Sequence, residues 1–198
     1  INAAYIRALP AEKFAQLAAP WLDKVVQSKV DRTLLCANLQ PRCEFLADIP
    51  PRVAFIDTLP DYELELFENK KQKTTPDTAR EALTAILAVL EPLQAWNKDA
   101  IFEACRAKAE AMEKKNGWLM YPLGIALAGQ RSTPGGGTDL AAMLGKEKTL
   151  QRIRLALEKL EASGCGELYE RALREEHVCH GEYIHHNILI SRQETAVV

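Results

Sequence analysis

The chain has 198 residues, 47% of them hydrophobic and 26% charged, and its formal net charge is −2 at pH 7. A chain of this size and composition can bury roughly 70% of its unfolded surface, which argues against wholesale disorder. No apolar run approaches the roughly 20 residues of a membrane helix, none resembles a secretory leader, and the charge excludes a strongly basic nucleic-acid binder.

Helical periodicity marks the first half of the chain. Asp31 is placed to cap a helix with a stripe of leucines, and Pro41 interrupts that helix. An apolar face that includes Phe45 continues until Pro50-Pro51 stops it. Residues 52–73 follow no regular pattern.

The second half has clearer helix boundaries. Thr75 followed by Pro76 predicts a helix start, because the hydroxyl accepts a free amide proton and proline fits the first helical position. Asn97 is a second predicted cap, and its helix is expected to end at Asn116-Gly117. A third helix is closed by Gly129.

A glycine-rich loop, QRSTPGGGTD at residues 130–139, interrupts this helical region. A short helix that ends at Gly145 follows it, and then an apolar stripe over residues 150–160 with Gly164 after it. Residues 163–198 are acidic; one more helix is expected near residues 168–173, and EYIHHNILIS is ambiguous between strand and helix. Residues 98–162 carry eleven lysines and arginines against eight acids, which suits a selective partner of nucleic acid.

These patterns predict an all-α fold of two packed helical subdomains, residues 1–73 and 74–162. Residues 163–198 form a C-terminal extension of uncertain structure. The five cysteines form no CxxC pair and indicate reduced thiols in a cytosolic protein. Cys36 and Cys105 occupy apolar helical positions, where packing is the expected role.

Neither a catalytic residue nor a metal site is predicted. All four histidines lie at 177–186, near Cys165 and Cys179, in a spacing that matches no standard zinc module. The glycine triplet lacks the Lys-Ser/Thr of a phosphate-binding loop, and no strand precedes it. The chain therefore has the character of a binding module.

A series of short motifs closely resembles the C-terminal anticodon-binding region of bacterial-type glutamyl-tRNA synthetases, the aminoacyl-tRNA synthetases that ligate glutamate to tRNA. The resemblance covers residues 1–162, and the extension has no counterpart in it. The motifs are INAAYIRALPAEKF at 1–14, QPR at 40–42, the segment from Trp96 through Tyr121-Pro122-Leu123, ALAG at 126–129, TPGG at 133–136 and LGKEKTLQRI at 144–153.

The resemblance implies tRNA-Glu as partner, with tRNA-Gln as a second candidate, and neither DNA nor a membrane. The family's HIGH-like and KMSKS-like signatures, which hold ATP, do not occur in this sequence. We therefore expect a cytoplasmic, monomeric protein that lacks the catalytic domain and is inactive alone. ATP and Mg would serve only the full-length ligase.

The resemblance also assigns contacts to bases. Arg42 matches the family arginine that contacts the first anticodon base and helps to separate tRNA-Glu from tRNA-Gln. Thr133 and Pro134 match the loop that meets the later anticodon bases. Gly124 departs from the family, which often has an arginine there, and Arg131 is a candidate to supply the missing contact.

Several cations are candidates to steer phosphates, although solvated helix faces explain them nearly as well. They are Arg131, Lys146, Lys148, Arg152 and Arg154. The alternative to tRNA recognition is a helical protein–protein interaction module that has lost its anticodon contacts.

Overall fold

The computed structural model describes the backbone of residues 2–174 and the side chains of residues 2–162. Within this part of the chain the structure is helical and contains no strand, which confirms the all-α class. The four histidines and the segment EYIHHNILIS, for which expectations are stated above, lie outside the described residues. The α-helices are α1 Asn2–Ala8, α2 Ala11–Leu22, α3 Arg32–Leu39, α4 Ile49–Val53, α5 Pro76–Leu90, α6 Lys98–Ala111, α7 Asn116–Ala128, α8 Gly137–Leu144 and α9 Lys146–Arg174.

The predicted helix caps are present. The side chains of Asp31, Thr75 and Asn97 each accept the amide proton of the residue three positions further on, at 2.9, 3.3 and 2.9 Å. Gly129 and Gly145 follow α7 and α8 with φ of 62° and 82°, a conformation that glycine adopts without strain. Local side-chain chemistry therefore sets these boundaries.

The prediction that Pro50-Pro51 stops a helix is wrong. Both prolines lie in the first turn of α4, where they cost no intrahelical hydrogen bond because the first amides of a helix have no partner. Phe45, predicted on the continuing apolar face, precedes this helix in extended conformation and is 53% exposed.

Two other predicted helix ends are also wrong. Helix α6 ends at Ala111, and the chain reverses at Glu113, which has a φ of 54°, while the Lys114 amide donates to the carbonyl of Ala109 at 2.9 Å. Asn116 consequently begins α7. Gly164 does not end α9, whose backbone continues to Arg174.

Helix α7 is the centre of the packing, with α5, α6 and α8 against it. Leu119, Leu123 and Leu127 of this helix are fully buried. Cys36 and Cys105 are buried as expected, and burial raises the pKa of the Cys105 thiol to about 12.

The chain up to Leu160 forms one compact unit. The division of this unit into two helical subdomains between residues 73 and 74 stays a prediction. No helix in the described range is long and apolar enough to cross a membrane.

The guanidinium of Arg152 lies inside this unit, only 4% of the residue being exposed. Its Nη1 donates to the carbonyl of Leu127 at 2.5 Å, and its Nη2 donates to those of Phe55 and Ile56, both at 2.8 Å. Burial lowers the pKa of Arg152, and the charge of Asp57 opposes that effect. One side chain of α9 thus joins the end of α7 to the segment after α4.

Lys148, one helical turn earlier, reinforces this junction. Its Nζ donates to the Ser28 hydroxyl at 2.8 Å and to the Ile56 carbonyl at 2.9 Å. The Asp57 carboxylate accepts the amide protons of Gln27 at 2.5 Å and Ser28 at 3.1 Å. Burial, and then the charge of Arg152, lower the pKa of Lys148, while Asp57 opposes them.

Replacement of Arg152 by methionine is expected to lower the free energy of unfolding by about 3 kcal/mol, because the carbonyls of Leu127 and Phe55 lose their donor in the interior and that of Ile56 keeps only Lys148. Arg154→Met is the matched control. Arg154 pairs with Glu91 at 2.6 Å on the surface, both side chains about half exposed, so its loss should cost under about 1 kcal/mol. Urea unfolding at an unchanged m-value measures both, and equal losses would contradict the assignment.

Asp57 is expected to make stability depend on acid pH. Burial, the largest single effect, raises its pKa, but hydrogen bonds from Ser28 and the Gln27 amide and the charge of Lys148 together lower it below its ordinary 3.8. A carboxylate whose pKa is lower in the folded than in the unfolded protein stabilises the fold. This contribution is fully present above the unfolded pKa and is lost as the pH falls through the folded pKa. Asp57→Asn should therefore be less stable than wild type at pH 7, with the gap closing toward pH 3.

Unfolding midpoints at a series of pH values test this expectation. Asp99→Asn, which alters an exposed carboxylate in the first turn of α6, is the control for the loss of one surface charge. A gap between wild type and Asp57→Asn that is the same at pH 3 and pH 7 would contradict the prediction.

Candidate nucleic-acid interface

Arg42 ends a single 3-10 turn, Gln40–Arg42, that follows α3. Its Nη1 donates to the carbonyl of Asn38 at 2.9 Å and to that of Pro134 at 2.5 Å, and the residue is exposed. In the described part of the chain both of its hydrogen bonds start from Nη1, which leaves Nε and Nη2 able to donate. Two of the predicted base-contacting residues, Arg42 and Pro134, therefore touch although 92 positions separate them.

The turn that carries Thr133 and Pro134 is braced from within. The Thr133 hydroxyl donates to the carbonyl of Gly135 at 2.6 Å, and the Gly136 amide donates to Asp139 Oδ2 at 3.0 Å. Asp139 Oδ1 lies 2.7 Å from the Nζ of Lys98, at the start of α6. The turn is thereby fixed to the N-terminal ends of both α8 and α6.

The glycines of this turn allow close packing within the protein. A Cβ on Gly135 would lie 2.6 Å from the Cβ of Asp139, and one on Gly137 would lie 2.8 Å from the carbonyl oxygen of Met120 in α7. Gly124, by contrast, has nothing within 4 Å of its Cβ position. The place where the family often has an arginine is therefore open.

An open cleft of about 580 Å³ lies between two segments, residues 44–52 and residues 130–132. Phe45 and Arg52 line it from the first segment, and Gln130 and Ser132 line it from the second. These segments flank the two residues of the Arg42–Pro134 contact in sequence. The cleft is thus a continuation of the surface on which the predicted base contacts meet.

The cations predicted to steer phosphates differ in their contacts. Arg152 and Lys148 donate to internal acceptors, as described above. Lys146 donates to the carbonyls of Glu91 and Leu93 at 2.7 Å each, at the C-terminal end of α5, where a cation is favoured. Exposed Arg131 makes a single longer bond, 3.2 Å, to the carbonyl of Glu65. Arg131 is the member of the set with most freedom to meet an RNA backbone.

The sequence patterns missed Phe45 and Gln130. The signal that would have placed Phe45 correctly is Pro50-Pro51 read as the first turn of a helix, since the residues before it then lie outside that helix. Gln130 has no such signal, because it lines the cleft only through the tertiary arrangement.

Comparison with known proteins agrees with this surface. The family model described as "Anticodon binding domain" matches residues 13–157, most of the chain. This match covers Arg42, the turn and the cleft together. The chain belongs to the anticodon-binding domain family.

The similar proteins include glutamate–tRNA ligases of clostridia. The ligase of Clostridium tetani is 37% identical over 161 residues, which are 81% of this chain and 33% of the relative. The ligase of Clostridium botulinum strain Hall is 36% identical over 162 residues, which are 82% of this chain and 33% of the relative. A crystal structure of a glutamate–tRNA ligase from Elizabethkingia meningosepticum matches with a TM-score of 0.68 at 25% identity, covering 80% of this chain and 31% of that one. The chain spans about one third of the length of these relatives.

Replacing Asp139 by alanine is expected to loosen the turn, because the Gly136 amide loses its acceptor and Lys98 loses its partner. We expect the free energy of unfolding to fall by about 1 kcal/mol and the Gly136 amide to exchange with solvent about tenfold faster. Hydrogen exchange followed by NMR measures the second effect. Asp99→Ala, an exposed aspartate in α6, is the control, and an unchanged Gly136 rate in Asp139→Ala would refute the bracing role.

Proposed function

We propose that this chain recognises the anticodon of tRNA-Glu as the anticodon-binding part of a glutamate–tRNA ligase, with tRNA-Gln as a second candidate. The direct contact between Arg42 and Pro134 is the observation that carries this proposal. It joins the two segments to which separate base contacts were assigned. Membership of the anticodon-binding domain family supports the same conclusion.

Arg42 would read a base by hydrogen bonding. Its guanidinium only donates, and the pairing edge of cytosine offers N3 and O2 as acceptors, whereas uracil has a donor at N3. Unpaired anticodon bases can be splayed out and read on that edge. Because Nη1 is held by two carbonyls, the guanidinium plane is fixed before the base arrives, which reduces the entropy lost on binding.

Thr133 and Pro134 would meet the later anticodon bases through the braced turn. Gly124 leaves room there for a base or backbone to approach α7 closely. We assign phosphate contact to Arg131. The contacts of Arg152 and Lys148 favour a role in holding the fold, and those of Lys146 and Arg154 join α9 to the end of α5.

Aminoacylation would belong to a whole ligase of which this chain corresponds to one third. Residues 2–162, whose side chains the structure describes, bring together no three Asp, Glu, His or Cys side chains that could hold a metal ion, and we place no ATP- or Mg-dependent step on them. We expect the protein to act in the cytoplasm as a monomer. No observation on the described residues favours the alternative of a protein–protein module.

Arg42→Ala is expected to weaken binding of a tRNA-Glu transcript about ten- to hundredfold, because one base loses its hydrogen-bond donor. It should also abolish the preference between cytosine and uracil at the first anticodon position. Fluorescence anisotropy at fixed salt measures both effects. Glutamate and glutamine codons differ at the base that pairs with the third anticodon position, so readout of the first position cannot by itself separate tRNA-Glu from tRNA-Gln. A transcript altered at the third anticodon position therefore tests whether Arg42 makes the separating contact.

Arg106→Ala is the matched control. Arg106 is an exposed arginine of α6 paired with Glu103 and Glu110, and its loss should leave transcript affinity unchanged. If Arg42→Ala binds every transcript as wild type does, or if wild type does not distinguish any altered anticodon, the proposal is wrong.

A further inference from the structure

Phe45 is an aromatic residue that the fold leaves on the surface. Its exposed fraction is 53%, whereas Phe14 and Phe67 are fully buried. The ring lines the cleft between residues 44–52 and 130–132. A large apolar side chain in this position contributes little to the core, so its place in the cleft requires another explanation.

The backbone that carries Phe45 is firmly held. Asp48 Oδ2 accepts the amide protons of Phe45 at 3.0 Å and Glu44 at 3.2 Å. The Asp48 amide donates in return to the Phe45 carbonyl at 3.1 Å. Three hydrogen bonds therefore fix the segment that presents the ring, and ordering it on binding costs little entropy.

The other walls of the cleft are polar. The Gln130 Nε2 donates to the Ser132 carbonyl at 2.9 Å, and its Oε1 is the acceptor of the same amide group. Arg52 and Glu44 line the cleft as well. The site thus combines one aromatic face with hydrogen-bonding groups that suit the edge of a flat heterocycle.

Charge decides which part of a nucleotide fits. The carboxylates of Glu44 and Asp48 outnumber the single guanidinium of Arg52 in the cleft, so the net charge disfavours a phosphate there, and the carboxylates accept hydrogen bonds from the amino groups of bases. Arg42 is three residues from Phe45, so their Cα atoms are at most about 11 Å apart. Neighbouring nucleotides of one loop can therefore reach both side chains.

We propose that Phe45 is a stacking platform for an unpaired nucleobase next to the one that Arg42 reads, with Gln130 at the edge of that base. This inference rests on the proposed function and adds a base-binding residue that the resemblance does not assign. Unpaired RNA bases stack readily on aromatic side chains, and the stacking tolerates any base. Phe45 would then raise affinity without choosing the sequence.

Substitutions at Phe45 test the platform directly. Phe45→Ala and Phe45→Leu should each weaken binding of the tRNA-Glu transcript about tenfold or more, and Phe45→Trp should bind at least as tightly as wild type. Leucine separates stacking from general apolar contact, because it keeps apolar bulk but has no π face. Urea midpoints should be unchanged in all three variants, since the ring is exposed.

A fluorescent base provides a second readout. 2-Aminopurine placed in turn at each anticodon-loop position should lose emission at one position on binding wild type, and keep it on binding Phe45→Ala. The salt dependence of binding should be the same for both proteins, whereas Arg131→Ala should reduce its slope by about one. Tyr5→Ala removes another exposed aromatic residue, 65% exposed and outside the cleft, and should bind as wild type does.

The outcomes separate this inference from the proposed function. Unchanged binding by Phe45→Ala together with weakened binding by Arg42→Ala overturns the platform and leaves anticodon recognition intact. Equal affinity of Phe45→Leu and wild type for the transcript also overturns the platform. Leucine offers apolar contact without a π face, which is all that a protein or other apolar partner would require. Failure of the unsubstituted chain to bind any tRNA transcript overturns both.

Discussion

The buried guanidinium of Arg152 is the contact on which the candidate interface depends. It holds the carbonyls of Phe55 and Ile56 on one side and that of Leu127 on the other. Phe55 follows α4, which begins four residues after Phe45, and Leu127 lies three residues before Gln130. The two walls of the cleft are therefore each a few residues from an atom bonded to Arg152.

Arg152 and Lys148 are an unusual way to join these segments, because desolvation of a cation opposes burial. The cost is offset by carbonyl acceptors at the ends of helical segments, where intrahelical bonds run out. Arg152 bonds the Leu127 and Phe55 carbonyls, and both cations bond that of Ile56. Asp57 supplies the nearby negative charge and also binds the Gln27 and Ser28 amides. A leucine at position 152 would fill space but leave the Leu127 and Phe55 carbonyls without this donor and the Ile56 carbonyl with Lys148 alone, and the junction between the two walls would loosen.

The helix caps and the all-α class could be predicted because both are local. Asp31, Thr75 and Asn97 each act on an amide three residues away, which the sequence displays directly. Errors arose where one local pattern has two meanings. Pro50-Pro51 fits both the end and the start of a helix, and the choice determines whether Phe45 is buried or exposed. The Asn116-Gly117 error is of the same kind, because the chain reverses at Glu113, a residue without a turn signature.

The candidate site was predictable only through resemblance. Periodicity cannot bring Arg42 to Pro134, since the contact spans 92 positions and depends on the packing of α3 against α8. Once the contact exists, it explains why arginine suits position 42 better than lysine. One guanidinium nitrogen can bond the Asn38 and Pro134 carbonyls while the others stay in a fixed plane toward a base. An ammonium group has three N–H donors on one nitrogen, so the same two carbonyls would leave it a single donor for the base, whereas the guanidinium keeps its Nε–H and both N–H groups of Nη2 in one plane.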